Sequence, residues 1–324
     1  MIQRRSLGAA TAALAFGTLA TPSVAEDWPA RPVRVILPVP PGGGTDILGR
    51  IVAPHLQQRL GQPVLIENRP GGGMTIGTNV VAKADPDGYT MLLIDSAIAV
   101  NPSLYRSLPY DTQRELQPVS LAATAPVILV AAPNFAPGTV AELLACARAN
   151  PGKVNFASGG NGTSTHLSGE LLRHVGNIDI VHVPFQGTGP GVTALLGGQT
   201  QIMFAGISST RQHVEAGRLK GIAVTGEARS PSMPNIPTFA EAGLPQMDAE
   251  TMWGFWLPAG APTAIADRFA RELSGVLKIP EVKARVESLG YVARGSTPAE
   301  YRARFERELA KWSTIIRQAG IQAG

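Results

Sequence analysis

The chain has 324 residues, a formal net charge of +4 and one cysteine, Cys146. That length holds two ordinary domains, and a lone cysteine excludes an internal disulfide framework. Lys and Arg form no cluster interleaved with aromatics, which argues against nucleic-acid binding; without Arg4 and Arg5 the net charge falls to about +2.

The first residues read as an export signal. Arg4 and Arg5 precede an apolar stretch over 7–20, and Ser23, Val24 and Ala25 follow with small residues at the first and third places. Basic region, short apolar core and small-residue site in that order mark a signal peptide. The stretch is shorter than the ~20 apolar residues of a spanning helix. Cleavage is expected after Ala25 and the location is expected to be the periplasm, with Sec and twin-arginine export both open.

From there short β-branched or apolar runs alternate with helical periodicity. Strands are expected over 33–37, 64–67 and 90–94, with a helix over 47–60 that Pro54 should kink. The run 140–148 is helical, with Cys146 toward the core. A strand over 126–131 ends at Pro133, and the pattern restarts at 154–157, 180–183, 201–205 and 221–225. Residues 253–258 read as a returning strand, and two amphipathic helices follow, over 264–277 and 298–319. Strands alternating with helices imply parallel α/β sheets. Strand, glycine loop and helix occur twice, about 120 residues apart. Two α/β lobes follow from this, 26–130 with 252–324 and 131–251, with crossings near 130 and 252.

Ligands of open α/β sheets sit beyond the carboxyl ends of strands. Helix N-termini there offer unpaired N–H groups and a partial positive charge, and glycine lets an anion approach. Four loops qualify: Gly42 to Asp46, with Gly43, Gly44, Thr45 and Asp46; Gly71 to Gly73; Gly159 to Thr165, with Gly160, Asn161, Gly162, Thr163 and Ser164; and Gly187, Thr188 and Gly189 before Pro190. Ser96, just past the strand at 90–94, joins the candidates. Asp46 is expected first as an N-cap and second as an acceptor for a ligand ammonium or hydroxyl. No nucleotide-binding motif is present, and no cofactor is expected.

Enzyme chemistry finds little support. His166 and Glu170 share a helix face, but no third ligand stands at metal spacing. There is no Gly-x-Ser-x-Gly elbow, and a Ser158–His166 hydrolytic pair is the remote alternative. The expectation is a binding protein without a catalytic residue or metal.

Several segments in chain order carry a resemblance. They are Pro40-Pro41-Gly42-Gly43-Gly44-Thr45-Asp46, Glu67-Asn-Arg-Pro-Gly-Gly-Gly73, Asp85-Pro-Asp-Gly-Tyr-Thr90 and Asn101-Pro-Ser-Leu-Tyr105, then Gly162-Thr-Ser-Thr-His-Leu167, Leu195-Leu-Gly-Gly-Gln199 and Ile236-Pro-Thr-Phe-Ala-Glu-Ala-Gly243. The chain resembles the substrate-binding receptors of tripartite tricarboxylate transporters, the Bug family. The resemblance implies a two-lobe periplasmic-binding-protein fold of type II, the Venus flytrap. It implies a small organic carboxylate gripped between the loops 42–46 and 160–165; His166, at the helix start after the second loop, is expected among the ligand-binding residues. It implies delivery to inner-membrane permease subunits, or to a sensor kinase, by a receptor expected to be monomeric. Two departures stand at strand ends: Phe185-Gln186 precedes Gly187 where the family has Tyr and a base, and Ala205-Gly206 follows Met203-Phe204 where an Asp is frequent. They predict a less polar distal pocket and an aromatic or apolar-bodied carboxylate.

Overall fold

A computed structural model describes residues 28–322; the expected export signal lies outside the described residues. Three apolar five-residue runs, β1 (Val33–Leu37), β2 (Val64–Asn68) and β3 (Thr90–Ile94), pair in parallel with β1 between the other two. α1 (Gly44–Leu60) and α2 (Thr75–Ala82) connect them. α3 (Ala97–Leu104) and α4 (Thr112–Glu115) lead into β4 (Leu116–Ala125). The second unit then runs β5 (Val127–Ala131), α5 (Val140–Ala149), β6 (Val154–Ser158), α6 (Ser164–Gly176), β7 (Ile180–Pro184), α7 (Thr188–Leu196), β8 (Ile202–Gly206), α8 (Ile207–Glu215) and β9 (Lys220–Val224). The chain returns through β10 (Thr251–Pro258), α9 (Thr263–Leu277), α10 (Pro280–Ser288), β11 (Val292–Ala293) and α11 (Pro298–Ala319).

These strands form two sheets, β11-β4-β10-β3-β1-β2 and β7-β6-β8-β5-β9. Each sheet holds a parallel α/β core and takes antiparallel strands near the crossings: β10 against β3 and β4, and β5 against β8 and β9. This is a two-lobe periplasmic-binding-protein fold. The crossing lies earlier than expected. β5 belongs to the second sheet, and Pro126 alone separates it from β4. Proline has no N–H for a ladder, so the chain changes sheets there; Val127 N–H then donates to Thr225 Oγ1 at 2.9 Å.

Side chains alternate across a strand, so the first sheet has two different covers. Ile36, Leu92 and Ile94 face α2, α3 and α11, whereas Val35, Leu37, Met91 and Leu93 face α1, α9 and α10. α11 begins with a capping box, Thr297 with Glu300, which satisfies two orphan N–H groups of its first turn. It packs on α3 and β4 of the first lobe and on α6 of the second. Cys146 is half-buried, not in the core; Leu143 and Ala147 bury the α5 face instead.

The center of the first sheet depends on one absent side chain. Trp256 of β10 donates from Nε1 to the Tyr301 hydroxyl at 2.9 Å, and both rings are buried. The Tyr301 ring lies on Gly254, where a Cβ would overlap it. Overpacking a core costs about 1–3 kcal/mol. Gly254→Ala is therefore expected to lower unfolding stability by about that amount, while Ser313→Ala on the half-buried side of α11 leaves it within about 0.5 kcal/mol; urea denaturation measures both.

Candidate functional site

α3, α6 and α7 each begin at the carboxyl end of a strand, after β3, β6 and β7 respectively. Their N-termini converge on one cavity of about 500 Å³ between the lobes. The second lobe contributes Gly159, Asn161, Gly162, Thr163, Ser164 and Thr165 from the β6–α6 loop, and Gly187 with Thr188 from the start of α7. The first lobe contributes Asp95, Ser96 and Ala97 at the start of α3, with Gly73 and Met74 beside them. Glu250 and Thr251 line it where the chain returns, and Val100, Leu104, Leu167 and Trp312 form an apolar wall. Among the described residues, no lysine, arginine or histidine lines the cavity.

Counting donors shows what the second-lobe loop offers. Gly159 N–H donates to Thr165 Oγ1 at 2.9 Å, Gly160 N–H to Ser158 Oγ at 3.1 Å, and Gly162 N–H to His166 Nδ1 at 3.0 Å. Thr163 caps α6, its Oγ1 accepting from His166 N–H. The N–H groups of Ser164, Thr165 and Thr188 have no partner among the described residues. These are the orphan donors of two helix starts, and each start adds roughly half a positive charge. Gly162 (φ 75°) and Gly187 (φ 107°) hold the turns in conformations that L side chains rarely adopt.

Behind the loop stands a stacked pair, His166 on His182, with ring centroids 3.7 Å apart. Ser158 Oγ and His182 Nε2 are 2.6 Å apart, and Phe156 stacks on the far side of His182. His166 is thus a buried prop for the loop, not a wall of the cavity. Ser158 is completely buried and paired with His182 rather than His166. The Ser158–His166 hydrolytic pair does not form.

The structure redistributes several other expectations. Ser96, Gly159, Asn161, Gly162, Thr163, Ser164, Thr165, Gly187 and Thr188 line the cavity, all but Ser96 within the expected loops; Gly160 does not. Gly43, Gly44, Thr45 and Asp46 do not line it either, because α1 covers the opposite face of the sheet from α3. Thr45 Oγ1 instead accepts from Trp253 Nε1 at 3.0 Å, and Gly44 lies under Tyr291, which stacks on Trp253. The N-cap of α1 is Gly43, not Asp46. Asp46 is buried in the first turn and accepts from Gly42 N–H at 2.9 Å, Asn68 Nδ2 at 2.9 Å and Arg50 Nε at 3.0 Å. Burial pushes its carboxyl up, but those donors outweigh it and the pKa is lowered. Phe185 packs on the core of the second lobe, Ala205 is completely buried in it, Gln186 is exposed and Gly206 caps α8. None of the four reaches the cavity.

Sequence reasoning missed Asp95. It is the first polar residue after the apolar strand β3, and the carboxyl end of that strand was signal enough. Its Oδ1 accepts from Ala97 N–H at 2.9 Å. Burial pushes its carboxyl up, and the Ala97 N–H only partly opposes that. Glu250 is also pushed up by burial, against the pull of Arg294 and Arg304.

Comparison with known proteins fits this geometry. The model of the tripartite tricarboxylate transporter family receptor matches residues 48–321. A protein from the tcbD–tcbE intergenic region of Pseudomonas sp. strain P51 is 36% identical over 96% of this chain and 93% of its own. Protein BugT of Bordetella pertussis is 34% identical over 95% of each chain. Among solved structures, the periplasmic binding protein BugD is 31% identical with a TM-score of 0.71 over 91% of this chain and 99% of its own. Rhodopseudomonas palustris Rpa4515, solved with adipate, is 30% identical with a TM-score of 0.74 over 91% and 99%. MatC from the same organism, solved with malate, is 30% identical with a TM-score of 0.70 over 89% and 100%. The fold and cleft define a solute-binding receptor. The chain belongs to the tripartite tricarboxylate transporter receptor family, among its Bug-type members.

The histidine prop sets a pH dependence. Burial, then the neighboring His166, lowers the His182 pKa from 6.5 to about 4, against an opposing effect of Glu170. The unfolded state therefore binds more protons between these values. The contribution of His182 is complete above the unfolded value and is lost as pH falls toward the folded one. The full shift is worth roughly 3 kcal/mol, and partial exposure of the ring reduces that to roughly 1–2 kcal/mol. Stability by urea denaturation is expected to drop between about pH 7.5 and about pH 4.5 by that amount, and less steeply in His182→Gln.

Proposed function

We propose that the chain is an exported, monomeric receptor that captures a small organic carboxylate with an apolar body and presents it to a membrane transporter. The observation that carries this reading is the convergence of the α6 and α7 N-termini, with unpaired N–H groups, on a cavity that no cationic side chain lines. Hydrogen bonds to a charged group contribute about 1.5–3 kcal/mol each, so three or four reach the roughly 8 kcal/mol of micromolar binding. A guanidinium clamp is unnecessary. The apolar body rests on Val100, Leu104, Leu167 and Trp312, and not on the Phe185 and Ala205 positions that first pointed to it. Adipate in Rpa4515 and malate in MatC support the carboxylate. The cavity is complete within one chain, which supports a monomer. Residues 1–25 support export, and membership of a transporter receptor family supports the partner.

A thermal-shift screen over mono-, di- and tricarboxylates, aromatic acids and amino acids is expected to raise the melting temperature with at least one class, since a ligand at a hundredfold excess over Kd stabilizes by about 2.7 kcal/mol. Ser164→Ala and Thr188→Val, each removing a hydroxyl at the cavity, are expected to weaken the hit by about tenfold each in calorimetry. A screen without any shift, or a hit indifferent to both substitutions, overturns the reading.

A further inference from the structure

We propose that Asp95 makes this cleft selective for a dipolar ligand, a monocarboxylate that also carries a protonated donor, an ammonium above all. The inference rests on the receptor reading and narrows its ligand class.

The two sides of the cavity differ in polarity. On the second-lobe side stand the starts of α6 and α7, with hydroxyls, unpaired N–H groups and no acid. On the first-lobe side Asp95 occupies the start of α3. Its Oδ1 already takes Ala97 N–H, so the positive end of α3 is answered by the protein itself. The field therefore runs from positive on the second lobe to negative on the first.

Asp95 differs from the other cavity acid. Glu250 has Thr124 Oγ1 at 3.3 Å, Arg294 Nη2 at 3.5 Å and Arg304 Nη2 at 3.8 Å. Asp95 makes no ion pair among the described residues, and its Oδ2 accepts no hydrogen bond from them. A partly buried carboxylate at the cavity wall without a cation favors a ligand that brings one. Desolvation also raises its pKa, and a bound ammonium at hydrogen-bonding distance restores the ionized form. A second ligand carboxylate meets the opposite situation, because it would approach Asp95 with no lysine, arginine or histidine lining the cavity to balance it.

The test uses acids that share a skeleton and differ in one group: ε-aminocaproate, caproate and adipate; γ-aminobutyrate, butyrate and succinate; and leucine against isocaproate, which places the amine beside the carboxylate. Calorimetry on the mature chain is expected to show, in at least one set, the amine-bearing acid binding about tenfold or more tighter than its alkyl counterpart, with the dicarboxylate weaker than the amine. Asp95→Asn keeps an acceptor oxygen for Ala97 N–H and removes the charge. It is expected to abolish the amine preference and to improve dicarboxylate binding, with the melting temperature of the free protein unchanged. Asp95→Ser provides the same comparison if the asparagine variant does not fold. A dicarboxylate binding wild type as tightly as the amines, an amine preference that survives both substitutions, or no binding of any amine-bearing probe overturns the inference. Carboxylates that bind without amine preference leave the receptor reading standing alone. Failure of every compound in both this series and the broad screen removes both readings.

Discussion

A buried carboxylate, Glu250, holds the place where the chain crosses back between its two sheets. It precedes β10 and is 5% exposed. Thr124 from the end of β4, Arg294 from beyond β11 and Arg304 from α11 reach it, and Gly226, just past β9, packs against it with no room for a Cβ. Both lobes and the last helix thus meet on one charge. Taking a partner away from a buried charge typically costs about 3–5 kcal/mol, because the remaining charge cannot return to water. The other crossing is a single residue, Pro126, between β4 and β5. The separation of the lobes, and so the size of the cavity, follows from these two junctions.

That anchoring decides the electrostatics of the cleft. Because Arg294 and Arg304 already offset Glu250, it lines the cavity without setting its potential. Asp95 has no such cation, and so the first-lobe side is negative while the helix starts of α6 and α7 make the other side positive. Backbone donors do not titrate, so the positive side is fixed by the fold. His182, whose pKa is lowered, stands behind the loop, where its protonation acts on the loop's support rather than on the ligand.

The sequence made the elements legible where one local signal sufficed. The amphipathic spacing placed α11 at 298–319, and the glycine loops marked the starts of α6 and α7. β4 was not legible: Pro118 interrupts a run poor in β-branched residues, and tertiary pairing with β10 and β11 overrides it. The loop 42–46 was legible as a helix start but not as to which side of the sheet it serves. Periodicity shows that a helix has a buried face; it does not show which sheet face receives it. α1 covers the Val35 and Leu37 face, and the cavity opens on the Ile36 and Ile94 face. The second role considered for Asp46, accepting a ligand donor, is opposed there by Arg50, Asn68 and Gly42, which use its oxygens. Asp95 has the oxygen that Asp46 lacks.

Capture by neutral donors also bears on release. A bidentate arginine would fix a carboxylate to one lobe by two strong bonds, and opening the lobes would not remove them. Here the donors stand on the second lobe and the acid on the first, so a dipolar ligand is held fully only while the lobes face each other. At the cavity the facing surfaces meet through Leu104 and Gly162, a leucine methyl against a bare Cα; a Cβ at Gly162 would lie 2.7 Å from that methyl, so the Leu104 side chain would have to move. The contact is small and apolar, so it adds little to the closed state by itself. A ligand bonded at both ends would add, across the cavity, the bonds that this contact does not supply.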